Sequence, residues 1–153
     1  LTAFGSDCTT QYYVDPVHKA IGLSHAGWRG TVAGMAEKTL RVMEEQYGTD
    51  PADVVAAVGP SICRSCYEIG TDVAEKVRRM QSDFAEEVLD PYPNGKYHLD
   101  LHLLNQRIME RSGVKTENIY LTDICTRCNP ELLFSHRVMG SKRGNNAALL
   151  MLV

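Results

Sequence analysis

Apolar positions follow two rhythms along this chain of 153 residues. Short apolar or alternating runs predict strands at residues 1–4, in "QYYVD" (11–15) and in "KAIGLSH" (19–25). Further strands are predicted in "DVVAAVG" (53–59), "NIYLTD" (118–123) and "AALLMLV" (147–153). Between them the apolar spacing lengthens to that of a helix. From Thr31, residues Val32, Met35, Ala36, Leu40, Met43 and Tyr47 share one face, and Gly48 gives a stop signal. Residues 71–80 and 83–89 predict two short helices capped by Thr71 and Ser82, and "PYPNG" (91–95) predicts a loop and turn. Residues 99–112 predict a helix with Leu101, Leu104, Ile108 and Met109 inward and Gly113 at its end. Strands and helices interleave, so the expected class is α/β or α+β, a layered sandwich of a mixed sheet flanked by helices, in a single domain over 1–153. The opening "LTAFGSDC" reads like the interior of a strand, and the expectation is that an N-terminal segment of the domain lies upstream.

Composition narrows the function classes. The chain is 44% apolar and 23% charged with a net charge of −3, as in a globular protein. No Lys/Arg stripe and no interleaved aromatics mark a nucleic-acid partner. No run approaches the roughly 20 apolar residues of a membrane span, and no signal peptide is expected. Five cysteines, an odd number, argue against a closed disulfide framework and for a reduced, cytoplasmic setting.

The densest chemistry lies in "LSHAGWRGTVAG" (23–34), where His25 and Arg29 flank the only tryptophan. A strand ending at His25 and a helix starting near Thr31 would present free N–H groups to an anion, with Arg29 adding a fork of donors. The alternative is a tight turn with Trp28 in the core and Arg29 in solvent. Cys8, in "GSDCTT", is either a metal ligand or nucleophile or a small buried hydrophobe. Two C-x-x-C pairs, Cys63/Cys66 and Cys125/Cys128, lie too far apart for a zinc ribbon and read as reduced structural thiols. His98 and His102 have the i, i+4 spacing of a metal pair on one helix face, without an H-E-x-x-H pattern. His18 reads as a turn residue. His136, Arg137, Lys142 and Arg143 form a basic loop that either closes over an anionic substrate or is simply solvated.

Several ordered motifs resemble the YfiH-type domain family, labelled multicopper polyphenol oxidase (laccase) and described as zinc-dependent purine nucleoside phosphorylase with adenosine deaminase activity. "SHAGWRGT" matches its H-A-G-W-R-G element, and "GSDC" matches T-A-D-C. "VGPSICRSCYEIG" matches G-P-x-I-x-x-x-x-Y-E-V-G, and Asp100 and Asn105 match D-L-x-x-x-N. "ICTRCNPELLFSHR" matches C-T-x(n)-F-S-Y-R-R. The resemblance covers essentially the whole chain. It implies a fold shared with the cytotoxic necrotising factor deamidases. It also implies Cys8 and His25 as two of three zinc ligands, the third being the His of a Q-V-H element absent from this sequence. Cys63, His136 and Val138 depart from the family's Gly, Tyr and Arg. The implied function is phosphorolysis and deamination of adenosine, inosine and methylthioadenosine, with zinc as cofactor and copper as an alternative occupant. Cys8, His25 and Arg29 would be catalytic, and Arg29 and Arg137 would contact the nucleoside and phosphate. Three alternatives stand beside it: a Cys–His hydrolase or deamidase using Cys8 and His25, a copper polyphenol oxidase, and a non-catalytic member. Five histidines fall short of the roughly ten that multicopper oxidation needs.

Overall fold

The computed structural model describes all 153 residues. The chain starts with β1 (Thr2–Gly5), β2 (Thr9–Asp15) and β3 (Ala20–Ala26). β2 and β3 form a hairpin in antiparallel register from Thr9–Ala26 to Asp15–Ala20. At its turn, Asp15 Oδ1 accepts the amides of Val17 and His18, at 2.9 and 3.0 Å, as a short acidic side chain does in a tight loop.

The helix expected from Thr31 is two helices, α1 (Trp28–Val32) and α2 (Met35–Tyr47). Gly34, between them, has a left-handed φ of 73° that a helix interior cannot hold. β4 (Val55–Val58) and β5 (Glu68–Ile69) follow, then α3 (Thr71–Met80). Gly70, not Thr71, caps α3, and Ser82 opens a 3₁₀ turn that runs into α4 (Ala85–Val88).

The expected loop at 91–95 is narrower. β6 (Leu89–Tyr92) pairs antiparallel with β7 (Lys96–Leu99) across Pro93–Gly95. Asn94 and Gly95, with φ of 62° and 72°, supply the turn. Pro91 is tolerated because β6 is an edge strand. The chain then forms α5 (Leu101–Arg111), β8 (Ile119–Leu121), α6 (His136–Met139) and β9 (Asn146–Leu149).

These strands build a four-stranded mixed sheet ordered β3-β2-β4-β8, a three-stranded sheet β5-β7-β6 and a pair β1-β9. α1, α2 and α5 pack on one another, α2 against β3 and α5 against β4 and β8, while α3 and α4 pack on the smaller sheet. The layered α/β architecture is therefore as expected. Leu40, Met43, Leu101, Leu104, Ile108 and Met109 line the junction of helices and sheet and are almost fully buried.

Candidate functional site

Cys8 and His25 both lie at the open end of the β2–β3 hairpin. Thr10 pairs with His25 and Thr9 with Ala26, and just beyond the paired residues Cys8 packs beside Gly27. Directly opposed residues share a face, as do residues two apart, which makes Cys8 and His25 diagonal neighbours on one face. A Cβ on Gly27 would stand 2.8 Å from the Cys8 sulfur, and one on Gly5 would stand 2.9 Å from His25 Cε1. Glycine at both positions gives the thiol and the imidazole the room they occupy. His25 Nδ1 lies 2.9 Å from the Phe4 carbonyl oxygen. A carbonyl only accepts, so Nδ1 carries the proton and Nε2 is left with its lone pair outward. A hydrogen bond of this kind fixes the tautomer and ring orientation of a histidine.

A buried polar network holds this end of the hairpin. Asn105 Nδ2 reaches Thr9 Oγ1 and Thr31 Oγ1, each at 3.2 Å, and the Leu101 carbonyl at 2.8 Å. Its Oδ1 accepts from Gln11 Nε2, and Gln11 Oε1 in turn accepts from Tyr13 and Ser24. Thr9 donates to the Ala26 carbonyl at 2.6 Å. Asp100 caps α5 by accepting from the Leu103 amide, so both residues of the D-L-x-x-x-N pattern have structural partners.

Asp7 precedes Cys8 and is the residue that sequence reasoning gave no role. It is buried, with a left-handed φ of 72°. Its carboxylate accepts from Thr126 Oγ1 at 2.6 Å and from the Arg137 amide at 2.8 Å. It thereby joins the strand end bearing Cys8 to two distant loops. The available signal was its adjacency to Cys8 in "GSDC". Arg137 Nη2 donates to the Glu68 carbonyl at 2.7 Å, and its guanidinium lies 5.1 Å from the Tyr67 ring centre. Burial pushes the Tyr67 phenol up to about 12, with the charge of Arg137 the first to oppose it. Burial also pushes the Cys8 thiol up, Asp7 adds to this, and Arg143 opposes it. The basic loop thus reaches the site through Arg137 and Arg143, while His136 is exposed.

Arg29 is exposed, with its guanidinium 4.3 Å from the centre of the Trp28 ring, and Trp28 packs half-buried against the core. α1 spans five residues, so any anion contact there falls to the Arg29 side chain rather than to a helix field.

Two expectations are corrected. His98 and His102 do not share a helix. His98 is in β7, stacked on Tyr92 at 4.4 Å, because the helix begins only at Leu101. His102 faces Ser61 Oγ at 3.0 Å. The two C-x-x-C pairs are not separate: the sulfurs of Cys63, Cys66, Cys125 and Cys128 all lie within 4.8 Å of one another, a group that could hold a metal ion.

The chain is similar to several known proteins. A family model described as "Multi-copper polyphenol oxidoreductase laccase" matches residues 1–153. Purine nucleoside phosphorylase YlmD of Bacillus subtilis (strain 168) is 34% identical over 139 residues, covering 91% of this chain and 50% of that protein. Adenosine deaminase RL5, from an unknown prokaryotic organism, is 34% identical over 139 residues, with 91% and 53% covered. The crystal structure of the Bacillus licheniformis hypothetical protein YfiH superposes with a TM-score of 0.92 at 31% identity, covering 96% of this chain and 55% of that chain. The chain spans about half the length of the curated relatives it matches. With its whole length matched and its fold shared, this chain belongs to the multi-copper polyphenol oxidoreductase laccase family.

Proposed function

We propose that the chain acts in a zinc-dependent purine nucleoside phosphorylase that also deaminates adenosine, taking adenosine, inosine or methylthioadenosine. The observation that carries this reading is the pair Cys8 and His25 on one face of the hairpin end, with Nδ1 of His25 bound to Phe4 and Nε2 free. Thiolate and imidazole are a donor set suited to zinc, and the glycines at 5 and 27 keep the space beside both donors clear. Zinc held there supplies Lewis acidity, the property that activates water at neutral pH.

The chain's own residues do the rest. Asp7 fixes the strand end that presents Cys8 and orders the Arg137 backbone. Arg29, Arg137 and Arg143 give the site the positive charge that phosphate requires. The relatives named purine nucleoside phosphorylase and adenosine deaminase support the two reactions.

The Cys–His hydrolase reading needs a thiol with a lowered pKa. Burial and Asp7 push the Cys8 thiol the other way. The oxidase reading needs clustered histidines. No histidine belongs to the close group of potential metal ligands, which consists of Cys63, Cys66, Cys125 and Cys128. No helix is long and apolar enough to cross a membrane.

The test is zinc analysis and adenosine turnover, with and without phosphate, on Cys8→Ala and His25→Ala. Each is expected to remove one equivalent of zinc and at least a hundredfold of turnover while keeping the fold. Wild-type turnover in either variant overturns the assignment.

A further inference from the structure

The four remaining cysteines stand apart from this chemistry. Cys63 and Cys66 lie in the turn after β4, and Cys125 and Cys128 in the turn after β8. β4 and β8 are parallel neighbours, with Ala56 facing Ile119 and Val58 facing Leu121, an offset of 63 residues (119 − 56). Parallel strands leave the sheet at the same edge, so the segments that follow run side by side. Ser61 bridges Cys125 in the same parallel sense, and the Thr126 amide donates to the Ser61 carbonyl at 3.1 Å. The sheet register thus brings two motifs of identical spacing to one place.

Four thiols crowd together there. All four sulfurs lie within 4.8 Å of one another, and those of Cys66 and Cys128 are 3.5 Å apart. Four sulfurs around one zinc at about 2.3 Å would stand about 3.8 Å apart, so one ion fits among them with small adjustments. The Cys63 amide points at the Cys125 sulfur at 3.3 Å, an N–H to sulfur contact of the kind that supports a ligating thiolate. The Cys66 amide closes its turn on the Cys63 carbonyl at 3.0 Å, and the Asn129 side chain closes the other turn on the Cys125 carbonyl at 2.8 Å.

We propose that Cys63, Cys66, Cys125 and Cys128 bind a structural zinc ion that staples the turn after β4 to the turn after β8. Four protein sulfurs leave no open coordination position, which separates this site from a catalytic one. Soft, tetrahedral, all-thiolate coordination selects zinc or iron over hard cations, and zinc is the redox-inert choice for a staple. The knot also has a place in the wider architecture. Thr126, between two of its ligands, donates to Asp7, and Arg127 donates to the Cys66 carbonyl at 3.4 Å. A polar cleft of about 360 Å³ lies alongside, lined by Cys66, Arg127 and Arg137 among others. The staple therefore holds one wall of that cleft and the support of Asp7.

Metal content of the full chain, purified in reducing buffer, decides the matter. The double variant C66S/C128S is expected to lose one zinc equivalent, whereas Cys8→Ala keeps that equivalent and loses only the other. Failure of the nucleoside reading would leave the first result unchanged. If the double variant misfolds, cobalt reconstitution of the wild type replaces it. An all-sulfur tetrahedral site gives intense visible bands and a sulfur-to-cobalt charge-transfer band that survive in Cys8→Ala. Unchanged zinc in C66S/C128S, iron in place of zinc, or a mass two hydrogens lighter from a Cys66–Cys128 disulfide would each overturn the proposal. So would the absence of the cobalt bands.

Discussion

Asp15 has none of its side chain exposed and lies at the turn between β2 and β3. Burial pushes its carboxyl up, yet the amides of His18 and Val17 and the His18 ring outweigh burial and hold it at about 2, against an ordinary 3.8. A carboxyl whose native pKa is lowered stabilises the fold above its unfolded value and loses that contribution as pH falls through the native value. The Asp15 contribution is therefore complete at neutral pH and drains away between about pH 4 and about pH 2. Asp15→Asn is expected to lower the thermal midpoint at pH 7, with the gap to wild type closing as the pH approaches 2. Melting curves at several pH values check this, and a gap of constant size would refute it. Cys8 shows the opposite case, a thiol pushed up by burial and by Asp7. Such a thiol becomes a ligand when a cation offsets its charge, and is a poor nucleophile otherwise.

At the scale of elements, α5 is the post on which the hairpin end rests. Its buried face carries Leu101, Leu104, Ile108 and Met109, and Asn105 on the same helix gathers β2, β3 and α1 through Gln11, Thr9 and Thr31. Asn105→Ala removes four buried hydrogen bonds and strips the Gln11 amide of its acceptor, a loss on the order of 3 kcal/mol. Denaturant unfolding is expected to show that loss, and an effect below about 1 kcal/mol would mean that the network reorganises cheaply. The helix expected over 99–112 was legible from its apolar spacing and Gly113, while the Asp100 cap, which starts it at Leu101, was not read from the sequence. The β6–β7 hairpin was not, although Asn94-Gly95 is a strong turn signal. Pro91 and Pro93 argue against strands locally, and only the edge position of β6 makes Pro91 acceptable. The helix around Thr31 was legible in its apolar face but not in its break, because Gly34 satisfies the same periodicity that it interrupts.

Across the whole molecule, the site depends on contacts spanning more than a hundred residues, and periodicity is silent about these. The C-x-x-C pairs were visible, but their meeting follows from the parallel register of β4 and β8, which no local pattern encodes. Asp7 is the other long-range joint, tying Cys8 to Thr126 and to the start of α6. Its left-handed φ is one that aspartate and asparagine tolerate better than most residues. This separates two substitutions. Asp7→Asn keeps that tolerance and one carbonyl acceptor, so it is expected to cost little stability and to weaken adenosine turnover modestly. Asp7→Ala loses both acceptors and the tolerance, a combined cost of about 3 kcal/mol. In the alanine variant the Arg137 amide should exchange its proton with solvent much faster, and turnover should fall at least tenfold. Zinc held by the four-cysteine knot should remain, since its ligands and turns are intact. If Asp7→Ala retains Arg137 amide protection and full turnover, Asp7 is a local turn residue and the link between the knot and Cys8 does not exist.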